Sequence, residues 1–404
     1  MSLSKSSQFR TPILYVLMIF LGVWSGFSDI AFLQSLGLFI SNVFIRIFKC
    51  VSLPIIALSI IVTLSHYKSD GLMRRVWQRT LVYTLTTTLI AAIISSILYH
   101  IISPQSVTHL PESMEEFTAT TISYWEHVGN LIPQNFLTPF LENQVLSVLF
   151  LGVVIGIAIR FIPDQDARQT ITHFFRGLHS LMMVITRWVI TVIPLGLYGF
   201  ITTTVVQLRT GGDLKGIGQY LLVIVMANLI QAFLILPTWL KLNQIKPFVM
   251  MRGMLPALSL AFFSKSSAGT LPITMDVMEK KLHVKPEISR FVLPLCTSIN
   301  MNGCAAFIFT TVIYLMQNNG LPITNVTMAV WVVVATIAAI GNAGIPMGCF
   351  FLSVSLLASM NVPIALMGVI LPFYSLIDML ETALNVWSDS CVTRVIDKRM
   401  IEDE

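Results

Sequence analysis

The sequence predicts an all-α polytopic membrane protein, and three observations carry that prediction. Of its 404 residues, 55% are hydrophobic and 11% charged, where a soluble domain of this length carries roughly a quarter charged residues. Mean hydropathy is +0.79. Apolar runs of about 20 residues, each long enough for a spanning helix, recur from end to end.

Roughly the first 245 residues read as six helices, near 11–30, 38–65, 79–103, 130–160, 172–205 and 216–243. The first run, TPILYVLMIFLGVWSGF, follows Lys5 and Arg10 and is long enough to span. No small-residue cleavage site clearly follows it, so it reads as a helix and not as a signal peptide. Lys68, Arg74, Arg75 and Arg79 lie between the second and third helices, whereas Glu112, Glu115, Glu116 and Glu126 occupy a region without Lys or Arg. The positive-inside rule makes the 68–79 loop cytoplasmic and turns the 104–128 loop outward. Lys280, Lys281 and Lys285 then fall inside with Arg394, Lys398 and Arg399, and both termini are cytoplasmic. Arg209 and Lys215 sit on the outer side and fit this scheme less well. Because the bases cluster in short loops, the formal charge of +5 does not point to nucleic acid. The five cysteines (Cys50, Cys296, Cys304, Cys349 and Cys391) form no CxxC pair and read as reduced packing residues.

Beyond residue 245 the apolar segments shorten and the ionisable residues gather. AFFSKSSAGTLPITM at 261–275 is an apolar run interrupted by Ser, Gly and Pro, and IAAIGNAGIPMGCFF at 337–351 repeats the theme, with AGTLP in one and AGIP in the other. Gly and Pro also occur in ordinary spanning helices, where small residues permit close packing. Paired interruptions in two halves are, however, the sequence signature of a transporter site. Broken helices expose backbone N–H and C=O groups that membrane depth tolerates only where they line a cavity or hold something.

The last long segment, IDMLETALNVWSDS at 377–390, places Asp378, Glu381, Asn385 and Asp389 at spacings of three, four and four. On a helix these fall within a stripe roughly 80° wide. One carboxylate at the bilayer centre costs about 2.5–3.5 kcal/mol on insertion scales, so the stripe must face water, cations or basic groups. A transition metal would call for nearby His or Cys. His66, His100, His109, His127, His173, His179 and His283 all lie in the scaffold or in loops. Oxygen ligation of a hard cation such as Na⁺ fits better, using the break in SINMNG at 298–303 together with Asp389. A channel lined by the acidic stripe is a competing reading. A hydrolase using Ser266 or Ser267, with Lys265 as base, is a weaker one, and the protein does not read as an enzyme.

These motifs resemble the dicarboxylate/amino-acid:cation symporters, the glutamate transporter family, over nearly the whole chain. The resemblance rests on SKSSAGTLPITM, on NMNG at 300–303 (N-M-D-G-T in the family) and on AGIP at 343–346. It rests also on D-x-x-E-x-x-x-N-x-x-x-D at 378–389, where the family has D-x-x-R-x-x-x-N-x-x-x-D. IPQNFLTPFLENQVL at 132–146 and YTLTT at 83–87 are weaker echoes. The resemblance implies a homotrimer in a bacterial-type inner (plasma) membrane, each subunit with eight helices and two re-entrant hairpins in inverted repeat. Residues 1–245 would be the scaffold, except that the 79–103 helix would move with the transport core at 246–395; 396–404 would be a cytoplasmic tail. It implies substrate contacts from Ser266, Ser267, Cys304, Ile345, Asp378, Asn385 and, at the altered position, Glu381, with Lys265 beside them. It implies Na⁺ ligands at Asn300, Asn385 and Asp389, a second set at Ser298, Met301, Ala339, Ile340 and Asn342, and a third at Tyr83, Thr86, Thr87, Asn300 and Asn302. Na⁺ would be the coupling ion, with proton coupling an alternative and no organic cofactor.

Three departures matter. Glu381 stands where acidic-substrate members carry Arg, and a substrate carboxylate would meet like charge there. Glu381 either reads a basic or polar side chain, or pairs with Lys265 to leave a neutral pocket. Cys304 replaces a substrate-contacting Thr. Asn302 replaces an Asp and removes a charge from the third ion set, so fewer Na⁺ are expected per solute than in members with the full set; coupling stoichiometry measured by flux ratios checks this.

Overall fold

The backbone is continuous helix wherever the sequence is continuously apolar. The computed structural model describes residues 5–65, 71–107, 132–142, 144–209, 215–342, 344, 347–360 and 362–402. The helices are α1 (Lys5–Phe27), α2 (Ala31–Ser65), α3 (Gly71–Ile102), α4 (Val145–Arg160), α5 (Gln165–Arg209) and α6 (Lys215–Ile230). A π-helical segment, Gln231–Ile235, carries α6 into α7 (Leu236–Leu242). Then follow α8 (Pro247–Ser264), α9 (Ser267–Lys280), α10 (Pro286–Ile299), α11 (Asn302–Asn318), α12 (Asn325–Ala339), α13 (Gly348–Ser359) and α14 (Ala365–Glu402). Seven helical spans among the described residues are long and apolar enough to cross a membrane, and Phe20, Phe32, Trp188, Phe233 and Phe263 are turned outward. The chain is an integral membrane protein.

The expected helix at 130–160 starts late. Its described N-terminal part is one turn, Thr138–Leu141, and α4 begins only at Val145. Asn135 Oδ1 accepts from the backbone N–H groups of Leu137 and Thr138 at 2.9 and 2.8 Å, a side-chain turn that competes with helix. Conversely α5 overruns its expected range at both ends. Arg209, the outer-side basic residue that fitted poorly, pairs with Asp29 at 2.9 Å and donates to the Phe27 carbonyl at 3.0 Å. It thereby caps the C-terminal end of α1. Residues 396–402, expected as part of a tail, continue α14, with Ile396 and Asp397 buried.

Packing divides the six N-terminal helices. α5 lies along α1 and α2, and α2 along α4, whereas α3 and α6 pack on α11 and α14. α11 is the centre: every residue from Asn302 to Met316 is buried. Tyr314 stacks on Tyr220 of α6 with ring centroids 4.9 Å apart, and Tyr220 shares a hydrogen bond with Thr311 at 2.8 Å. α2 and α5 approach closely enough that a Cβ on Gly199 would lie 2.7 Å from the Ser41 nitrogen and 2.8 Å from the Gly37 oxygen. Backbone atoms of a long helix cannot move aside cheaply. Gly199→Val is therefore expected to destabilise the protein by about 1–3 kcal/mol, read as a lower melting temperature of the purified protein.

Candidate functional site

Two helix–break–helix pairs meet at their tips. α8 ends at Lys265, which is left-handed with φ 55°, and Ser266 opens α9 with its Oγ accepting from the Gly269 N–H at 3.0 Å. α12 passes into a 3₁₀ turn, Ile340–Asn342, and Met347, left-handed with φ 62°, opens α13. Left-handed non-glycine residues cost of order 1–3 kcal/mol and concentrate where structure serves function. The Ser266 hydroxyl donates to the Gly344 carbonyl at 3.4 Å, so the tips touch.

A third break separates α10 from α11 at Asn300 and Met301 (ψ 76° and 65°), leaving the last carbonyls of α10 without their i+4 donors. The polar stripe of α14 faces this break. Asn300 donates through Nδ2 to Asp389 Oδ1 and Ser388 Oγ, both at 2.9 Å, and its Oδ1 accepts from Thr87 of α3 at 3.0 Å. Asn302 also donates to Ser388. Asn385 Oδ1 accepts from the Gly303 N–H at 2.9 Å. Only glycine fits at 303, since a Cβ there would lie 2.7 Å from the Glu381 Cα. Asp378 accepts from the Met347 N–H at 3.1 Å, and Glu381 from the Tyr374 hydroxyl at 3.3 Å. All four stripe residues are buried, Glu381 completely.

Some expected site residues lie apart from this cluster. Thr86 is exposed and bonds the Val82 carbonyl, while Tyr83 packs on Trp239 and under Arg399. Ser298 bonds within its own helix, to the Pro294 carbonyl at 3.5 Å. Ser267 is buried in the first turn of α9, and Ala339 and Ile340 sit where α12 ends. Asn342 reaches Cys304 Sγ at 2.9 Å and Met301 Sδ at 3.7 Å. Ile345 lies outside the described residues. Of the two readings of Glu381, its pairing with Lys265 is not formed: Lys265 Nζ donates to Ser375 Oγ at 2.5 Å. Lys265 is anchored at the tip of the first break, whereas Glu381 is sealed beneath Gly303. Cys304 and Cys349, read from the sequence as reduced, are joined as a disulfide linking α11 to α13. Folding brings together two thiols 45 positions apart, a proximity that no local spacing reveals.

Several residues were missed. Ser388 holds both Asn300 and Asn302. Asn228 and Gln231 line the cluster from α6 and the π segment, with Gln231 Nε2 donating to the Thr87 carbonyl at 3.1 Å. Their signal was present: two amides three residues apart in an otherwise apolar run. Among the described residues, the buried oxygens of Thr88, Asn228, Gln231, Asn302 and Asn342, and Oε1 of Glu381, have no donor. Buried acceptors normally find a partner, and acceptors in such number match hard-cation ligation. Soft-metal binding fits poorly. Cys304, Cys349 and Glu381 lie close enough to share a metal, but disulfide-bonded sulfurs offer no thiolate. Beside Lys265, Met347 and Ser375, against Ile190 and Leu197 of α5, lies a cavity of about 40 Å³, room for about three waters.

The profile described as the sodium:dicarboxylate symporter family matches residues 13–399. A putative sodium-dependent excitatory amino acid transporter of Caenorhabditis elegans is 27% identical, over 91% of this chain and 83% of its own length. The neutral amino acid transporter B(0) of Bos taurus is 25% identical, over 87% of this chain and 71% of its own. The rat transporter of that name is 28% identical over 62% of this chain, and the match spans 45% of the rat protein. Matched almost from end to end, the chain belongs to the sodium:dicarboxylate symporter family.

Proposed function

We propose that this protein is a Na⁺-coupled symporter of a small amino-acid-like solute, neutral or basic and not acidic. One observation carries the reading of the solute: Glu381, fully buried on the polar stripe, has an oxygen without a donor and no ion pair among the described residues. A carboxylate so placed repels an acidic side chain and accepts from an amide, hydroxyl or ammonium group. Relatives named as neutral amino acid transporters and as sodium-dependent transporters support the class of solute and the ion.

The chemistry divides along α14. Asp378 now holds the Met347 N–H; a solute ammonium would replace that donor with a charged one, freeing the second tip to rearrange. Ser266 and Ser267, at the start of α9, would offer hydroxyl and backbone N–H groups to the solute carboxylate. Asn300, Asn385 and Asp389 would ligate Na⁺, and the ion's charge would offset the burial of Asp389. Alternating access would follow from α1, α2, α4 and α5 standing as a fixed frame while α3, α6 and the broken helices move. The reading extends to a homotrimer in a plasma membrane with both termini cytoplasmic.

Melting temperatures against an amino-acid panel, in Na⁺ and in K⁺, test this, because a ligand bound only by the native state raises them by mass action. Neutral or basic amino acids are expected to shift the transition, more so in Na⁺; a shift with aspartate alone would contradict the role given to Glu381. Glu381→Gln should improve the affinity for aspartate about tenfold, equivalent to roughly 1.4 kcal/mol, measured as competition with labelled solute. Asp389→Asn should abolish the Na⁺ dependence of binding while leaving a cooperative melt.

A further inference from the structure

One bond crosses the site without contributing a ligand to it: the Cys304–Cys349 disulfide. Cys304 is the third residue of α11, just past the break at Asn300 and Met301. Cys349 is the second residue of α13, two positions after left-handed Met347. Their Cα atoms are 5.5 Å apart across a separation of 45 residues, and each residue is 1% exposed.

Cys304 holds the second break from both sides. Asn342 Nδ2, at the end of the 3₁₀ turn, donates to Cys304 Sγ at 2.9 Å, and Cys349, where the helix resumes, is bonded to the same sulfur. Asn385 of the stripe also donates to it, at 3.5 Å. Between these anchors the Gly344 carbonyl accepts from Ser266 at 3.4 Å and the Met347 N–H donates to Asp378 at 3.1 Å. Hydrogen bonds of this kind can be exchanged for others at little net cost, whereas the covalent bond cannot. The two sulfurs and a Glu381 carboxylate oxygen lie within 4.8 Å of one another, so the bond stands against the side chain that reads the solute.

We propose that Cys304 and Cys349 are a reversible dithiol/disulfide pair that gates solute binding, closed by the bond and opened by a dithiol reductant. This rests on the reading of the stripe as a solute site. In the disulfide form the start of α13 cannot leave α11. Met347 therefore keeps its hold on Asp378, and a solute ammonium cannot take its place. A dithiol opens the bond by two exchanges. Its first thiolate attacks one sulfur, forming a mixed disulfide and releasing the other cysteine, which takes up a proton. Its second thiol then displaces the remaining cysteine. The S–S bond is broken and both cysteines end as S–H; the reductant, having given up two electrons and two protons, ends as a disulfide. Closing reverses these steps, with a disulfide or another thiol oxidant as electron acceptor. Burial shields the bond, so exchange waits on local opening of the structure and either form persists once set.

The test compares purified full-length protein oxidised with diamide and reduced with dithiothreitol, the state of Cys304 and Cys349 being read by alkylation and peptide mass mapping. Amide hydrogen exchange reports the lock without any solute: reduction should speed exchange at 347–351 and leave 22–27 of α1 unchanged. Melting temperature then reports binding, in Na⁺, with a mixture of L-alanine, L-glutamine and L-lysine. The mixture should raise it in the reduced protein and not in the oxidised one. Cys349→Ser should behave as the reduced protein and be indifferent to diamide; should that variant not fold, the two forms of the wild type carry the comparison. Faster exchange with no amino-acid shift in either form would uphold the lock and overturn instead the solute reading on which the gate rests. The gate itself is overturned if diamide yields no Cys304–Cys349 bond, if dithiothreitol cannot open it, or if exchange at 347–351 is unchanged after verified reduction. An amino-acid shift of the same size in both forms would overturn it as well.

Discussion

A carboxylate removed from water must be met by donors or by positive charge, and this molecule is arranged around three such carboxylates on one face of α14. The cost per acid rules out a lipid-facing stripe, and the structure meets it with a break. Interrupting α10 and α11 at Asn300 and Met301 turns asparagine side chains and the Gly303 N–H toward Asn385 and Asp389. Gly303 then permits the approach that buries Glu381. The central position of α11, the convergence of α3 and α6 upon it, and the meeting of two further breaks all serve this enclosure.

The arrangement is incompletely satisfied, and that incompleteness is informative. Asp389 has a donor in Asn300, but among the described residues other buried oxygens, Asn302 Oδ1 and Glu381 Oε1 included, have none. A purely structural polar core would have evolved toward pairing, since an orphaned acceptor costs about 1–3 kcal/mol. Unmet acceptors gathered where three helices are broken describe a place that exchanges partners.

Much of this was legible in the sequence, because it was written in local terms. Hydropathy marks the spans, interrupted runs mark the breaks, and the three-four-four spacing marks the stripe at Asp378, Glu381, Asn385 and Asp389. What escaped was non-local. Nothing adjacent to Cys304 in the chain announces Cys349, and nothing near Lys265 announces that Ser375 takes its ammonium group. Ahead of α4 the Asn135 side chain takes the Leu137 and Thr138 N–H groups, a local turn that hydropathy does not register. The amides Asn228 and Gln231 were visible but unremarked, because a single polar residue in an apolar run is common.

The unbroken length of α14 has an electrical consequence. Between Asp378 and Arg399 it carries four acids (Asp378, Glu381, Asp389 and Asp397) and three bases (Arg394, Lys398 and Arg399), spread over roughly 31 Å of one rigid strut. Membrane voltage acts on a rigid body through its summed charge, at about 2.3 kcal/mol per elementary charge per 100 mV. In this strut the opposing signs nearly cancel. The electrical work of any displacement is therefore governed by what rides with the helix, and a monovalent cation joining Asp389 cancels that small remainder.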